Sequence, residues 1–439
     1  MDKSLKSYVV DDRESGIFRV HRSLFTDEEI FDLEMRRIFE STWIFLGVES
    51  QLSKPHDYVS TYIGRQPVFL TRDAGGKLNC FFNTCRHRGA VLVHQKCGNA
   101  ARHVCRYHSW SYDSAGRNVH IKDLEHGAYP PTFAQEDHDL VPIPRLEIHR
   151  GLIFGSLNAN VVSLGEYLGD FRWFLDLVLE QGEQGMEIVP GGATYTFDAN
   201  WKLQIENGMD FYHLTSAHTT FMNIVSRRNA GESANRQVRS PDFSTRRSVS
   251  AGMYTFRHGH SVIWNENPSP EDRPLWQTID KVRERVGPSR AKWMLNSRNM
   301  TLFPSLQLTD ATATILRVIR PVSVNQTEMR LHCFAPIGEL AEARERRIRQ
   351  FEDFFNPSGL ATPDDNACYA DCQQGFAATL PEWLQGYARG GAQVCHGADE
   401  LARQLGISPL TSLKGPFPIQ NETAFHAGYR EWLRLMANG

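Results

Sequence analysis

Apolar residues recur along this chain in different rhythms, and each rhythm predicts a different kind of element. In SLFTDEEIFDLEMRRIFESTW, Phe31, Leu33, Met35, Ile38 and Phe39 return at near-helical spacing, which predicts a packing helix. Thr26 with Glu29 supplies a capping-box signal for its start. Residues 1–42 thus form a helical lead-in expected to pack on the C-terminal domain. From Trp43 to about Leu157 the texture changes to short β-type runs: WIFLGV, YVSTYIG, PVFLTR, NCFFNTC, ARHVC, NVHIKD and GLIFGSL. Asp73-Ala-Gly-Gly76 and Asp113-Ser-Ala-Gly116 fall between such runs and read as hairpin turns, because glycine supplies the positive φ they need. Residues 43–158 are therefore predicted to be an all-β domain.

Beyond about residue 158 strands and helices alternate. SLGEYLGDFRWFLDLVLEQ (163–181), ELAEARERRIRQFEDFFN and ETAFHAGYREWLRLMAN read as helices, and GEQGMEIVPGG as a connector. ATYTFDANWKL, TLFPSLQLT, ATILRVIRPV and EMRLHCFAPI read as strands. The fold class is α+β, with the all-β domain first and a mixed domain of antiparallel sheet and helices over 159–439. RRNAGESANRQVRSPDFSTRRSVS (227–250) is polar and Arg/Ser-rich and reads as a mobile surface loop.

Composition narrows the class. A chain of 439 residues with 41% hydrophobic and 23% charged residues is long enough for two sizeable cores. A formal net charge of -3 gives no electrostatic footprint for nucleic acid or an anionic membrane surface. No apolar run approaches the roughly 18 residues of a membrane span. The start, MDKSLKSYVVDDRESG, has no apolar stretch of signal-peptide type, so a cytoplasmic setting is expected. Eight cysteines in so long a chain fit reduced thiols rather than a disulfide framework.

Four residues carry the first candidate chemistry. Cys85-Arg-His87 and Cys105-Arg-Tyr-His108 pair one cysteine with one histidine on each of two predicted loops, with 17 residues between the pairs. Structural zinc loops usually space their ligands two to four residues apart, usually as C-x-x-C. A Rieske [2Fe–2S] cluster wants two Cys on one iron and two His on the other, so each loop must give one of each. Cys80 and Cys97 have no His at the required offset and are assigned to packing or chance. His94 and His103 read as loop residues at the domain rim.

The C-x-H-x17-C-x-x-H string, with Arg88-Gly89 after the first pair and Trp110 two residues after the second, resembles the cluster motif of aromatic-ring-hydroxylating oxygenases. Their second, mononuclear iron demands ligands downstream. Asn207-Gly-Met-Asp210-Phe-Tyr-His213-Leu-Thr-Ser-Ala-His218 offers two histidines, which with a distant carboxylate make a 2-His-1-carboxylate triad for Fe(II). On a regular α-helix His213 and His218 would stand roughly 140° apart. Either a π-bulge interrupts the helix or it ends between them. Asp210, three before His213, shares its face on a helix and suits fixing the ring through its other nitrogen. The alternative is an Asp that satisfies helix backbone. For the third ligand the residues alone leave Asp364 and Asp365 open, with Asp364 also readable as a helix N-cap after Pro363. Glu352, Asp353 and Asp371 are weaker rivals. His258 and His260 have no companion at ligand spacing and receive no metal.

The resemblance extends from FRVHRSLFTDEEIFDLEMRRIFESTW through YIGRQPV and NWKLQIENGMD to RRIRQFEDFFNPSGLATPDD, and is to the large (α) subunits of the benzoate and anthranilate dioxygenase branch. It implies that Asp365 is the carboxylate ligand, and that Asp210 joins His213 to His108 of a neighbouring subunit for electron transfer. It implies a terminal oxygenase that adds both atoms of O2 to an aromatic carboxylate, with NADH used through a flavin and iron–sulfur reductase, with or without a ferredoxin. It also implies a small β subunit and an α3 or α3β3 ring. Phe211 stands where benzoate-type members carry a smaller Gly, and Ala361 where related enzymes can carry a bulky aromatic. Aryl-acetates, aryloxyacetates and halogenated or amino-substituted benzoates therefore fit as well as benzoate. Asn207 and Phe355 are the candidates for substrate contact. A cationic or amide partner for the substrate carboxylate is expected, but the sequence does not single out which Arg. The alternatives are a Rieske monooxygenase or demethylase acting on an alkoxy or N-alkyl aromatic and, outside enzymes, an iron–sulfur or zinc binding module.

Overall fold

The computed structural model describes residues 5–229, 249–416 and 421–437. Most of the loop expected at 227–250 lies outside these residues. The chain divides into two compact units, one of residues 39–164 and one of residues 1–38 with 165–439.

The 39–164 unit is built from short antiparallel strands: β1 (Ile44–Val48), β2 (Asp57–Ile63), β3 (Gln66–Arg72), β4 (Leu78–Phe82), β5 (Cys97–Asn99), β6 (Arg102–Val104), β7 (Ser111–Asp113), β8 (Asn118–His120), β9 (Arg145–His149) and β10 (Leu152–Ser156). They pair in the orders β4-β3-β2-β5, β8-β7-β6 and β9-β10-β1. Val59, Thr61 and Ile63 alternate inward along β2, the period that a half-buried strand requires. The two predicted turns close the β3–β4 and β7–β8 hairpins. Asp73 and Asp113 each accept from the glycine three residues on, and their amide nitrogens donate to Lys77 and Arg117. Gly116 (φ +84°) lies where a Cβ would come within 2.4 Å of the Phe81 ring, so the turn and the packing both require glycine. The core here is Phe69, Phe81, Leu92, Val93, Trp110, Tyr112, Ile121 and Leu140, and it includes Cys85 and Cys105. His103 differs from its rim assignment. It is buried on β6 with its ring edge-on to Phe69 and Tyr58, because period-two alternation turns it inward. Burial lowers its pKa to about 4.

The other unit is organised on an antiparallel sheet of ten strands among the described residues. Its strands are β11 (Met186–Ile188), β12 (Ala193–Phe197), β13 (Ser250–Thr255), β14 (Ser261–Asn265), β15 (Ser297–Leu302), β16 (Leu306–Asp310), β17 (Thr314–Ser323), β18 (Gln326–Pro336), β19 (Cys395–His396) and β20 (Thr411–Pro416). The order is β11-β18-β17-β16-β15-β14-β13-β20-β19, with β12 also on β18. Thr301, Gln307, Arg317 and Leu331 stand opposite one another across β15, β16, β17 and β18. Opposed residues share a face, so this row marks one side of the sheet.

A small sheet of Val9–Asp12, Ile17–His21 and Trp383–Leu384 accompanies this large one. The helices that bear on the site and its support are α1 (Glu28–Glu34), α2 (Leu164–Leu168), α3 (Arg172–Leu179), α4 (Trp201–Gly208), α5 (Leu214–Ala217), α6 (Thr219–Asn229), α7 (Ala341–Phe354), α8 (Thr362–Gly375) and α9 (His426–Ala437). The cap of α1 is Asp27, whose carboxylate accepts from Glu29 and Ile30, and not Thr26; a carboxylate is the stronger cap and complements the helix dipole. Glu34 at its end is fully buried and meets Lys202 at 2.7 Å, Trp201 Nε1 at 2.8 Å and Trp432 Nε1 at 2.6 Å. The expected helix over 163–181 is two helices, α2 and α3, joined by a 3-10 turn at Gly169–Phe171, where Gly169 has φ +47°. ATYTFDANWKL is strand only to Phe197. Asn200 then caps α4 by accepting from Lys202, so the apolar WKL belongs to a helix. TLFPSLQLT is the β15–β16 hairpin, not one strand, because Phe303-Pro304 forms its turn.

Candidate metal centres and active-site pocket

Cys85 and His87 lie in the loop after β4, and Cys105 and His108 in the loop between β6 and β7. The two loops share a backbone design. Cys85 N donates to Ala90 O and Gly89 N to Cys85 O, while Cys105 N donates to Trp110 O and Ser109 N to Cys105 O. The residue four after each cysteine has positive φ, +72° at Gly89 and +62° at Ser109. These tight turns leave both thiols buried, and bring His87 Nδ1 within 3.0 Å of His108 Nδ1. Trp110 stacks on the His87 ring at 5.1 Å. The Tyr112 hydroxyl reaches Cys85 Sγ at 3.4 Å and accepts from Arg86 N. Burial, with the charges of His108 and Arg88, pushes the His87 pKa down, which favours the neutral ring a ligand must be. Burial and the adjacent Cys105 raise the Cys85 thiol, against hydrogen bonds from Tyr112 and the backbone. Two buried neighbouring thiols opposite two converging Nδ1 atoms fit a Rieske cluster.

The second set is held by the other unit. At the end of α4, Gly208 lets the helix abut the sheet: a Cβ there would come within 2.2 Å of the Gln307 amide, and Gln307 Nε2 donates to Gln204 O. The chain then turns through Asp210, which lies beyond the helix. Its side chain accepts from the Tyr212 and His213 amide nitrogens and meets His213 Nδ1 at 3.1 Å. Asp210 thus reaches His213 through a local turn and not, as expected, through a shared helix face. The same carboxylate thus holds both the turn's backbone donors and the ring nitrogen. Of the two alternatives for His213 and His218, the helix ends between them: α5 stops at Ala217, His218 takes φ −99° and ψ 27°, and α6 follows.

Asp365 arrives from the first turn of α8. The loop before it is tied back to α7 by Leu360 N to Asp353 O, Ala361 N to Phe354 O and Thr362 Oγ1 to Phe355 O. Asp364 is not the N-cap; Ala361 holds that place and Pro363 lies in the first turn, where its missing N–H costs nothing. His213, His218 and Asp365 form the cluster of metal-competent side chains found among the described residues, with one ligand atom from each within 4.8 Å of the others. Asp365 Oδ1 is 3.1 Å from His218 Nε2 and 3.7 Å from His213 Nε2. Asn207 Nδ2 touches both, at 3.1 Å from Asp365 Oδ1 and 3.3 Å from His213 Nε2. The Asp364 side chain is 39% exposed against 16% for Asp365, and its Oδ2 approaches His218 Nδ1 at 3.5 Å. Asp353 is paired with Arg228 at 2.7 Å. Glu352 and Asp371 are exposed.

Burial raises the Asp365 pKa, but the His218 hydrogen bond and the charges of His218, His213 and Arg317 outweigh it, and the carboxyl is held below its usual range. Burial works against a charged His213, yet the Asp210 hydrogen bond and the two carboxylates raise its pKa. Two imidazoles and one ionised carboxylate converging from separate elements fit a ferrous ion. The cluster lies on a pocket with about 630 Å³ of empty space, its open mouth included. Phe355 and Phe354 contribute to the wall with rings perpendicular at 4.3 Å, and Phe211 lines it too. His260, by contrast, is a packed core residue: Nε2 meets Tyr167 O, and Nδ1 accepts from Phe303 N.

Residues 42–134 match the Rieske [2Fe-2S] domain, and residues 187–438, more than half the chain, match the ring hydroxylating alpha subunit catalytic domain. The chain belongs to the ring-hydroxylating oxygenase alpha-subunit family. It is 40% identical to the toluate 1,2-dioxygenase alpha subunit of Pseudomonas putida over 98% of this chain and 94% of that one. It is 39% identical to the 2-halobenzoate 1,2-dioxygenase large subunit of Burkholderia cepacia over 99% and 93%. The fold matches naphthalene 1,2-dioxygenase from Rhodococcus sp., with a TM-score of 0.80 at 24% identity over 95% of this chain and 94% of that one. This ring-hydroxylating oxygenase is an oxidoreductase whose family carries a Rieske cluster and a mononuclear iron, with NADH and O2 as ultimate reactants. When bound, the cluster supplies one-electron transfer, and the ferrous ion open positions at which dioxygen reacts. Among the described residues no helix is long and apolar enough to cross a membrane.

Arg317 is a pocket-lining cation that the sequence does not single out. It lines the pocket from β17, and nothing in ATILRVIRPV separates it from Arg320 except strand parity.

Proposed function

We propose that this chain is the large subunit of a terminal oxygenase that adds both atoms of O2 to an aromatic carboxylate of benzoate size. Benzoates with a methyl, halogen or amino substituent are the first candidates, and aryl-acetates and aryloxyacetates follow. The carrying observation is the His213, His218 and Asp365 cluster set beside the aromatic wall of one pocket, in a chain matching the toluate and 2-halobenzoate enzymes end to end. In this reading Cys85 and Cys105 hold one iron of the cluster, and His87 and His108 the other. His213, His218 and Asp365 hold the mononuclear iron. Asp210 fixes His213 through Nδ1 and offers its carboxylate to His108 of a neighbouring subunit, so electrons cross between chains of an α3 ring. Asn207 orients Asp365 and His213, and Phe355 walls the ring. A small β subunit and a flavin and iron–sulfur reductase complete the enzyme, which works in the cytoplasm.

The test is anaerobic iron and acid-labile sulfide analysis with low-temperature EPR, followed by turnover of substituted benzoates under ¹⁸O₂. About three irons and two sulfides per chain and a product with two labelled oxygens are expected. One labelled oxygen would make the enzyme a monooxygenase, and zinc without sulfide would remove the oxygenase reading.

A further inference from the structure

Arg317 is a buried cation whose neighbours do not include its counter-ion. It is 8% exposed, and among the described residues it has no hydrogen bond and no carboxylate within ion-pair distance. The other deeply buried arginines of this unit are compensated. Arg298, which lines the same pocket, and Arg273 share Asp310, and Arg347 is held by Glu339 at 2.6 Å. Arg317 has instead the face of Phe355 under its Cζ at 4.5 Å, a cation–π contact that positions the guanidinium without neutralising it. Asp365 acts on it electrostatically from beyond ion-pair distance. A ferrous ion on Asp365 would more than cancel that charge, leaving the guanidinium unanswered. A buried charge without a partner is strongly unfavourable, so a ligand that brings the missing anion gains the whole compensation. A planar guanidinium takes a carboxylate through two parallel N–H···O bonds.

The strand register puts Arg317 on a defined face. It stands opposite Gln307 and Leu331, on the side of the sheet that Gln307 presents to α4. Asp365, His213 and Arg317 line one pocket with Phe355. A molecule with a flat ring and a carboxylate could therefore set its ring against Phe355 and its charge on Arg317 while facing the iron ligands.

We infer that Arg317 is the substrate's carboxylate anchor, which makes this pocket selective for aromatic acids over neutral aromatics of the same shape. The inference rests on the proposed reading of the pocket as an aromatic-acid oxygenase site. A neutral ring leaves the guanidinium unpaired, whereas a benzoate-type anion pairs it, so preference and not ring packing is what Arg317 controls.

The experiment measures dissociation constants by calorimetry on anaerobic holoenzyme. The probes are benzoate, 2-chlorobenzoate and phenylacetate, each beside its neutral amide. The readout is the ratio of acid to amide affinity in wild type, Arg317→Gln and Arg317→Lys, with iron content and EPR confirming that each variant is loaded. Wild type should prefer at least one acid, and Arg317→Gln should lower that preference about 100-fold, as expected for removing one partner of a buried charge pair. Arg317→Lys keeps the charge but loses the two-bond geometry, and should fall between; it carries the test if the Gln variant does not fold. An unchanged ratio in every folded variant overturns the inference while leaving the proposed function standing. A wild type with no preference for any of the acids overturns the aromatic-acid reading and the inference together.

Discussion

Asp365 Oδ1 lies 3.1 Å from His218 Nε2, although one residue comes from the start of a helix and the other from a break between two helices far earlier in the chain. If both are ligands with His213, removing the carboxylate unmakes the site without touching the other unit. Asp365→Ala should lose about one iron in three, keep its sulfide and Rieske EPR signal, and show no measurable turnover. Retention of full iron and turnover would transfer the ligand role to Asp364.

Asp210 Oδ2 lies 3.1 Å from His213 Nδ1. Asp210→Asn keeps the shape of the turn and removes the charge. Partners of this kind typically cost about 10- to 100-fold in affinity or activity when lost. The variant should reduce its cluster normally but reoxidise it slowly in single-turnover stopped-flow work. Normal reoxidation with lowered kcat would show that Asp210 only orients His213.

Tyr112 offers its hydroxyl to Cys85 Sγ at 3.4 Å, and hydrogen bonds to cluster sulfurs raise reduction potentials. One such bond of about 1 kcal/mol corresponds to roughly 40 mV for a one-electron couple. Tyr112→Phe should shift the cluster midpoint negative by about that much in an EPR-monitored titration. A midpoint equal to wild type would mean that the hydroxyl serves only Arg86 N.

Glu206 is buried, and burial pushes its pKa up to about 7 against hydrogen bonds donated by Tyr429 and Tyr387. The folded chain binds this proton more tightly than the unfolded chain, so stability falls as pH rises from about 4.5 towards 7. Glu206→Gln removes that dependence. In thermal unfolding at pH 5 and pH 7.5, wild type should lose on the order of 3 kcal/mol relative to the variant. Parallel curves would show that Glu206 stays ionised in the fold.

What was legible in the sequence was chemistry carried by spacing and by local turns. One Cys and one His per loop already separate a Rieske site from zinc, and the Asp-x-x-Gly turns place both hairpins because backbone geometry there is set by a few adjacent residues. The five-residue gap from His213 to His218 excludes a regular helix, which cannot converge the rings, and leaves a π-bulge or a helix end; the structure has the helix end. Local patterns failed where neighbouring elements compete for the same residues. The β-type pattern of ATYTFDANWKL runs past the strand's end at Phe197 into a helix, the Thr26 and Glu29 spacing points one residue short of the cap Asp27, and His103 is turned inward by its strand, not outward to the rim.

Tertiary structure alone decided which side chains from separate segments share a space. Asp364 and Asp365 are adjacent in sequence, yet a first helical turn swings adjacent side chains about 100° apart, and Asp365 is the one that joins both histidines. Arg317 and Arg320 differ in strand parity, so one lines the pocket that holds His213, His218 and Asp365 while the other pairs with Glu328 at 3.2 Å. Spacing determines what a segment can ligate; only packing decides which charge is left without its partner.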